Sequence, residues 1–341
     1  MFDKNIPFII AEIGQNHQGN LDLALDYVKV FANAGADAIK FQKRDNKTLF
    51  SDDAYNEIYN SENAFAQTYG EHREKLELKD DWLDILKKEC HKYNVKFMCT
   101  PFDKPSLELL EKIEVDAYKI ASFDCGNLPF INQIVKTNKP IAISTGGCNE
   151  QQIEESVEIL SKSKSSIALL HCVSEYPCPI DKLNLNTIKN LSKTYPNIVI
   201  GVSDHFNGTL SGPLSYVTGA RVFEKHVTMD RSWKGSDHSF ALEPEGFRKF
   251  VRDIKRVPVM LSNGTKQDLG EEPVFMKLGK SIIANQDISH GEMITLENIS
   301  GQILSENITP VRDSYKIIGL KTKKNIKEGD AIHIDDLELT E

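Results

Sequence analysis

The chain has 341 residues, 40% of them hydrophobic and 27% charged, with a formal charge of -9 at pH 7. That balance is ordinary for a soluble globular protein. It argues against a general nucleic-acid or anionic-membrane surface, while a few converging lysines can still hold a small anion. The opening MFDKNIPFIIAEIG has too short an apolar run for a signal peptide, and no stretch approaches the roughly 20 apolar residues that span a bilayer. Cys90, Cys99, Cys125, Cys148, Cys172 and Cys178 form no CxxC pair. Several sit in apolar runs such as KFMCTPF and LLHCV as small core residues, which predicts a reducing, cytoplasmic setting.

Short β-rich apolar runs follow one another: FIIAEIG from Phe8, AIKFQ from Ala38, KFMCTPF from Lys96 and AYKIAS from Ala117. They continue with IAISTG from Ile141, IALLHCV from Ile167, IVIGVSDH from Ile198 and RVFEKHVT from Arg221. They lack clean alternation, as parallel strands covered on both faces do. Amphipathic helical patterns separate them, for example LDLALDYVKVFANAG and EQQIEESVEILSK, with Gly35 and Asn94 as stop signals. Such β-then-α succession predicts a closed (β/α)8 TIM barrel over residues 1–262. A doubly wound open sheet is the alternative, weakened by the lack of a GxGxxG after the first run.

Residues 263–279, NGTKQDLGEEPVFMKLG, read as a polar linker. In residues 280–341, DISHGEMITLENI from Asp287 resembles NIKEGDAIHIDDL from Asn325. Ile288, Gly291, Glu292, Ile294 and Ile299 match Ile326, Gly329, Asp330, Ile332 and Leu337 at one offset. Two such β-turn-β units predict a small, pseudo-symmetric β-rich domain, marginal alone at about 60 residues.

A (β/α)8 barrel keeps its active site at the carboxyl ends of its strands. Those ends here are polar: Glu12, Lys40, Gln42, Thr100, Lys119, Ser122, Ser144, Ser174, Tyr176, Ser203, His205, Glu224 and His226. Lys40 and Lys119 stand out, because an unpaired ammonium in a buried strand is very costly. Three readings are open. One is a structural ion pair with Glu12 or Asp124. Another is an anion site to which the hydroxyls of Thr100, Ser122 and Ser144 add donors. The third is a Schiff-base lysine, with Lys119 the candidate. His205 and His226 end consecutive runs, so their imidazoles can converge, either as structural groups or as metal ligands. Beside Glu12 they suit manganese, iron or zinc, and the absence of a cysteine from the cluster counts against structural zinc. In FEKHV, Glu224 and His226 are expected at a reacting centre and Lys225 is expected to point outward.

The ordered set AEIGQNHQGN, AIKFQ, CTPFD, AYKIAS, ISTGG, LLHCVSEYPCP, GVSDH and FEKHVTMD resembles the sialic acid synthases over essentially the whole chain. That family includes N-acetylneuraminate, legionaminate and pseudaminate synthases. The resemblance implies condensation of phosphoenolpyruvate with an N-acylated hexose (N-acetylmannosamine or a 2,4-diacetamido-trideoxyhexose) and water. The products are a nine-carbon 2-keto-3-deoxy sugar acid and phosphate. It further implies phosphoenolpyruvate contacts at Lys40, Thr100, Lys119, Ser122, Ser144, Ser174 and Ser203. Metal ligands fall on His205 and His226, with manganese the usual ion, and catalytic carboxylates on Glu12 and Glu224. Sugar contacts fall on Gln42, Asp124, Tyr176 and Asp237. The C-terminal repeat looks like the family's antifreeze-like (SAF) domain, contributed across a domain-swapped homodimer.

The chain departs from that pattern in places. Asp124 stands where a glutamate is common, and Ser174 where some members have asparagine. GQILSENITP puts Ile303 and Leu304 where the family has an Arg-Pro pair, so Arg312 becomes the substitute candidate for sugar contact. KRDNKTLF and YGEHRE after the second run predict a reshaped sugar pocket; Lys43, Arg44 and Arg73 there could serve a phosphorylated aldose instead. A non-catalytic sugar-binding barrel is the remaining alternative.

Overall fold

Eight parallel strands close in chain order: β1 (Phe8–Gly14), β2 (Ala38–Lys43), β3 (Lys96–Pro101), β4 (Ala117–Ile120), β5 (Ile141–Ser144), β6 (Ile167–Cys172), β7 (Val199–Asp204) and β8 (Val222–His226). The structure is a computed structural model that describes residues 1–261, 264–266 and 270–338. Helices follow the strands, so the first unit, Met1–Leu261, is a (β/α)8 TIM barrel.

Each helix covers the barrel with an apolar stripe. Leu21–Asn33 is capped by Asn20, whose side chain accepts from Leu23 N–H at 3.0 Å, and it buries Ala24, Tyr27, Val28 and Phe31. Those residues join the outer core between strands and helices, with Ile9, Ile39, Phe97 and Phe223. A second, inner core fills the barrel's amino-terminal end: Ile10, Ala38, Met98, Ala117, Ala142, Ala168, Leu170, Val199 and Val222, with Phe2 packed among them. Small alanines alternate with Met98 and Leu170 because a narrow barrel interior holds few large side chains.

Strand period then determines the chemistry above that plug. Inward residues repeat every second position, so two residues beyond Ile10, Ala38, Met98, Ala117, Ala142 and Val222 come Glu12, Lys40, Thr100, Lys119, Ser144 and Glu224. Register holds these side chains level: Glu12 pairs with Lys40 and with His226, Gln42 with Thr100, and Ser203 with Glu224. Lys225, between Glu224 and His226, leaves the barrel interior as expected but is fully buried, not solvated. Its Nζ lies 2.7 Å from Asp204 Oδ2, which also accepts from Ser211 Oγ at 2.5 Å.

The second unit, residues 262–341, pairs β9 (Ser281–Ala284) antiparallel to β10 (Ile299–Gln302). Its core is Ile282, Ala284, Ile288, Ile294, Ile317, Ile326, Ile332 and Leu337. The two repeat isoleucines face each other: Ile288 N–H donates to Ile326 O at 2.8 Å and Ile326 N–H to Ile288 O at 2.9 Å. Gly291 and Gly329 sit in the corresponding turns of the two repeats at φ 80° and 86°, a region that favours glycine. The segment expected as linker contains a helix, Pro273–Leu278; Asn263 and residues 267–269 of that expectation lie outside the described residues. No described helix is long and apolar enough to cross a membrane.

Candidate active site

The carboxyl ends of the strands enclose a cavity of about 250 Å³. Its floor is an interlocked charge cluster. Lys40 Nζ lies 2.7 Å from Glu12 Oε2, 3.9 Å from Glu224 Oε2 and donates to Thr100 Oγ1 at 3.0 Å. Lys119 Nζ lies 3.6 Å from Glu224 Oε1, which also accepts from Ser203 Oγ at 2.9 Å. All four charged groups are at most 4% exposed. The ion-pair reading of Lys40 therefore holds for Glu12. Asp124 takes no part: its carboxylate accepts from Asn127 Nδ2 at 2.8 Å, in the turn Ser122–Asp124, and it does not line the cavity.

The two carboxylates are pushed apart. Burial first, and then the neighbouring Glu224 charge, raise Glu12 in spite of Lys40. Burial also works against ionised Glu224, but Lys119 and Lys40 together outweigh it and hold that carboxyl low. Lys40 rises, because its two carboxylate neighbours outweigh its burial, whereas burial lowers Lys119. Glu12 and Lys40 thus shift in senses that imply different charge states for one 2.7 Å contact. A cluster of two ammoniums and two carboxylates resolves this by placing the shared proton most readily on Glu12.

Hydroxyls surround the ammoniums. Ser144 Oγ, which lines the cavity, and Ser174 Oγ, which does not, are buried without a partner among the described residues. Ser122 Oγ accepts from Gly146 N–H at 3.0 Å. A Cβ on Gly146 would stand 2.2 Å from Ser174 Oγ, 2.8 Å from Ser122 Oγ and 3.1 Å from Cys172 Sγ, so only glycine lets these groups converge. The hydroxyls of Thr100, Ser122, Ser144 and Ser203, lining one cavity with two ammoniums, are a donor set suited to an oxyanion.

His205 and His226 line one wall, with ring centroids 5.2 Å apart, against Tyr176 and Phe240. His205 Nδ1 lies 2.8 Å from the Val173 carbonyl oxygen; that oxygen can only accept, so Nδ1 carries the proton and Nε2 is the free ligand nitrogen. Burial lowers His226, which favours its neutral form, and its Nδ1, 3.6 Å from Asp237 Oδ2, has no hydrogen-bond partner among the described residues. No group of three or more His, Cys, Asp or Glu forms a metal cage among the described residues. The donors fit a divalent ion held by one nitrogen each of His205 and His226, with oxygen from water or substrate completing it.

Gln42, Tyr176 and Asp237 line the same cavity. Gln42 Nε2 donates to Glu12 Oε1 at 2.6 Å, and Gln42 Oε1 accepts from Arg44 Nη2 at 2.6 Å. Arg312 is engaged inside the second unit, donating to Gly270 O at 2.7 Å and lying over Phe275. Cys172 belongs to the site, not only to the core: it lines the cavity, with Sγ 4.0 Å from His205 Nδ1. Burial opposes its thiolate, but His205, Ser122 and Lys119 outweigh that and lower the thiol. The cluster therefore does contain a cysteine, facing the protonated nitrogen of His205 and not the free one. Its position at the end of β6, two residues past Leu170 on the inward face, was the available signal. Arg44 and Arg73, expected with Lys43 as basic residues of a sugar pocket, line the cavity, whereas Lys43 pairs with Glu77 and Asp80 instead. Phe102 and Phe123 line it too, and strand period could not find them because they stand outside the strands.

A family model described as the NeuB family matches residues 27–266. N-acetylneuraminate-9-phosphate synthase of Homo sapiens is 33% identical over 95% of this chain and 91% of its own length. N,N'-diacetyllegionaminic acid synthase of Campylobacter jejuni is 33% identical over 95% of this chain and 98% of its own. Among solved structures, an N-acetylneuraminic acid synthetase from Leptospira borgpetersenii, in complex with citrate, superposes with a TM-score of 0.70 at 34% identity. It covers 79% of this chain and 90% of that one. The barrel, its polar carboxyl end and these likenesses lead to one conclusion: the chain is an enzyme of the NeuB family, the sialic acid synthases.

Proposed function

We propose that the enzyme condenses phosphoenolpyruvate with the open-chain aldehyde of an N-acylated hexose, adding water and releasing phosphate. The observation that carries this reading is the pair of buried ammoniums, Lys40 and Lys119, lining one cavity with the buried hydroxyl of Ser144, which has no partner among the described residues. A small, multiply charged anion satisfies both at once, and the cluster's carboxylates yield to it. Lys40, Lys119, Thr100, Ser122, Ser144, Ser174 and Ser203 hold the phosphate and carboxylate of phosphoenolpyruvate, which fixes the direction of its methylene carbon. His205 and His226 would hold a divalent ion, manganese for preference, which when bound polarises a carbonyl oxygen.

The methylene carbon bonds to the aldehyde carbon, and the carbonyl electron pair moves to its oxygen, which takes a proton. Water adds to the electron-poor C2 and gives one proton back to Glu12; the tetrahedral centre then expels phosphate, which carries off the C2 hydroxyl proton, and the 2-keto acid remains. Glu12, raised by burial, is the carboxyl suited to hold and return that proton, and Glu224 stays anionic to balance the lysines. Gln42, Tyr176 and Asp237 face the sugar. The second unit is read as an antifreeze-like domain, and the working enzyme as a cytoplasmic homodimer.

Phosphate release from phosphoenolpyruvate and manganese across a panel of N-acylated hexoses, with the product mass measured, tests the reading. Release that depends on the sugar and a product of nine carbons are expected. A lysine–pyruvate adduct trapped by borohydride, without phosphate release, would sink it in favour of a Schiff-base aldolase.

A further inference from the structure

Above the charge cluster, on the sugar side, the cavity carries two more cations that the condensation does not use. Arg44 directly follows β2, and Arg73 sits on the helix Tyr69–Leu76. Both line the cavity, and Arg44 is 9% exposed. Among the described residues neither guanidinium comes within ion-pair distance of a carboxylate. Arg44 bonds the Gln42 amide oxygen and lies over the Phe102 ring, 3.8 Å from its centroid; Arg73 bonds only Tyr69 Oη and lies over that ring at 4.9 Å. The nearest carboxylates are otherwise engaged. Glu77 accepts from Arg44 backbone N–H and pairs with Lys43 at 3.3 Å; Asp237 faces His226 at 3.6 Å, and against its burial His226, the Ser236 hydroxyl and Arg73 together hold its carboxyl low. Burial first, and then the charge of Arg73, lower the Arg44 guanidinium to about 10. Two like charges held together in a half-closed site, with most of their N–H donors unspent, are unfavourable unless an anion joins them.

Their position selects the group. Gln42 links the two halves of the cavity: its amide nitrogen bonds Glu12 at the reacting end and its oxygen bonds Arg44. One glutamine amide and two hydrogen bonds separate Glu12 at the reacting centre from Arg44, which is the scale of a hexose chain from aldehyde to terminal carbon. Local structure holds Arg73 in place. Gly70 lies so close to Tyr55 that a Cβ would stand 2.3 Å from its ring, and His72 packs against Tyr59 and Tyr69. Asn63 anchors the same segment by accepting from Gly235 N–H at 3.0 Å, two residues before Asp237.

Resting on the condensation reading, we infer that Arg44 and Arg73 form a second anion subsite that takes a phosphate monoester on the terminal carbon of the acceptor sugar. A planar guanidinium pair matches the three oxygens of a phosphate ester better than a single hydroxyl or carboxylate.

The test uses the full chain with manganese and saturating phosphoenolpyruvate. The probes are reduced, aldehyde-free acceptors, which bind without turning over: N-acetylmannosaminitol, its 6-phosphate and the analogue with a carboxylate at C6. Calorimetry should show the 6-phosphate binding about 100-fold tighter than the neutral alditol, the size expected of two charge-assisted contacts. In Arg73→Ala, Arg73→Gln and Arg44→Ala that preference should fall below about 10-fold, with Arg73→Lys retaining more of it than Arg73→Ala. Equal binding of neutral and phosphorylated alditols by the wild type, or a preference unchanged in the Arg73 variants, overturns the subsite. A carboxylate bound as tightly as the phosphate overturns its assignment to a phosphate ester. Phosphate release with the corresponding aldehydes is read separately. A binding preference without release refutes the condensation and leaves the subsite standing.

Discussion

Glu12 and Glu224 share two lysines, yet burial and charge drive them in opposite directions. If Glu12 carries the proton, Glu12→Gln should lower kcat about 100-fold or more and leave phosphoenolpyruvate binding, measured by calorimetry, within a few-fold. A kcat near the wild-type value would remove Glu12 from that role. Lys119 is confined beside Glu224 with almost no exposure, so the larger, planar fork of Lys119→Arg should fail to restore phosphoenolpyruvate binding despite its charge. Recovery of normal affinity in that variant would mean that charge alone suffices. His226→Ala removes one of two candidate metal nitrogens. Its affinity for manganese, followed by electron paramagnetic resonance, should drop at least tenfold, and an unchanged affinity would exclude the imidazole as a ligand.

At the scale of elements, the strand ends act through what glycine leaves open. In Gly146→Ala the new Cβ would meet Ser174, Ser122 and Cys172 at 3.1 Å or less, all side chains of the anion-facing wall. The expected result is a KM for phosphoenolpyruvate raised about tenfold or more, with far-ultraviolet circular dichroism unchanged. A KM that stays put would show that these hydroxyls do not contact the substrate. The helix Pro244–Met260 shows the complementary, structural side of the fold. It buries Phe247, Phe250 and Ile254 over β8, and Phe250 lies 5.9 Å from Lys225 Nζ. Lys225 and Asp204 thus serve packing behind the site, and a variant there should be judged by stability, not by kinetics.

At the scale of the whole molecule, five histidines among the described residues are lowered by burial: His17 to about 3, His72 to about 4, and His171, His226 and His238 in the same direction. The folded state then binds fewer protons than the unfolded chain below pH 6.5, so stability must fall as pH drops. For fully buried His17 the slope approaches about 1.4 kcal/mol per pH unit between 6.5 and its folded value. Urea midpoints measured from pH 7 to pH 4 should decline steadily, and His17→Gln should flatten part of that decline. A pH-independent midpoint would contradict a neutral, buried His17. The sequence alone determined the eight strands, their chain order, the polar list at their ends and the repeat at 287–337, because apolar period and turn residues are local properties. Only the tertiary structure decided which polar residues meet. Asp124, close in sequence to Ser122, turns to Asn127 instead of the cavity, and Arg312 is held by its own unit. Arg44 and Arg73 are legible as basic residues of two short segments, but only the packing of a loop helix brings them to the cavity while Lys43 turns to Glu77. Cys172 enters by the inward period of its strand, and such closeness across the chain is written in contacts.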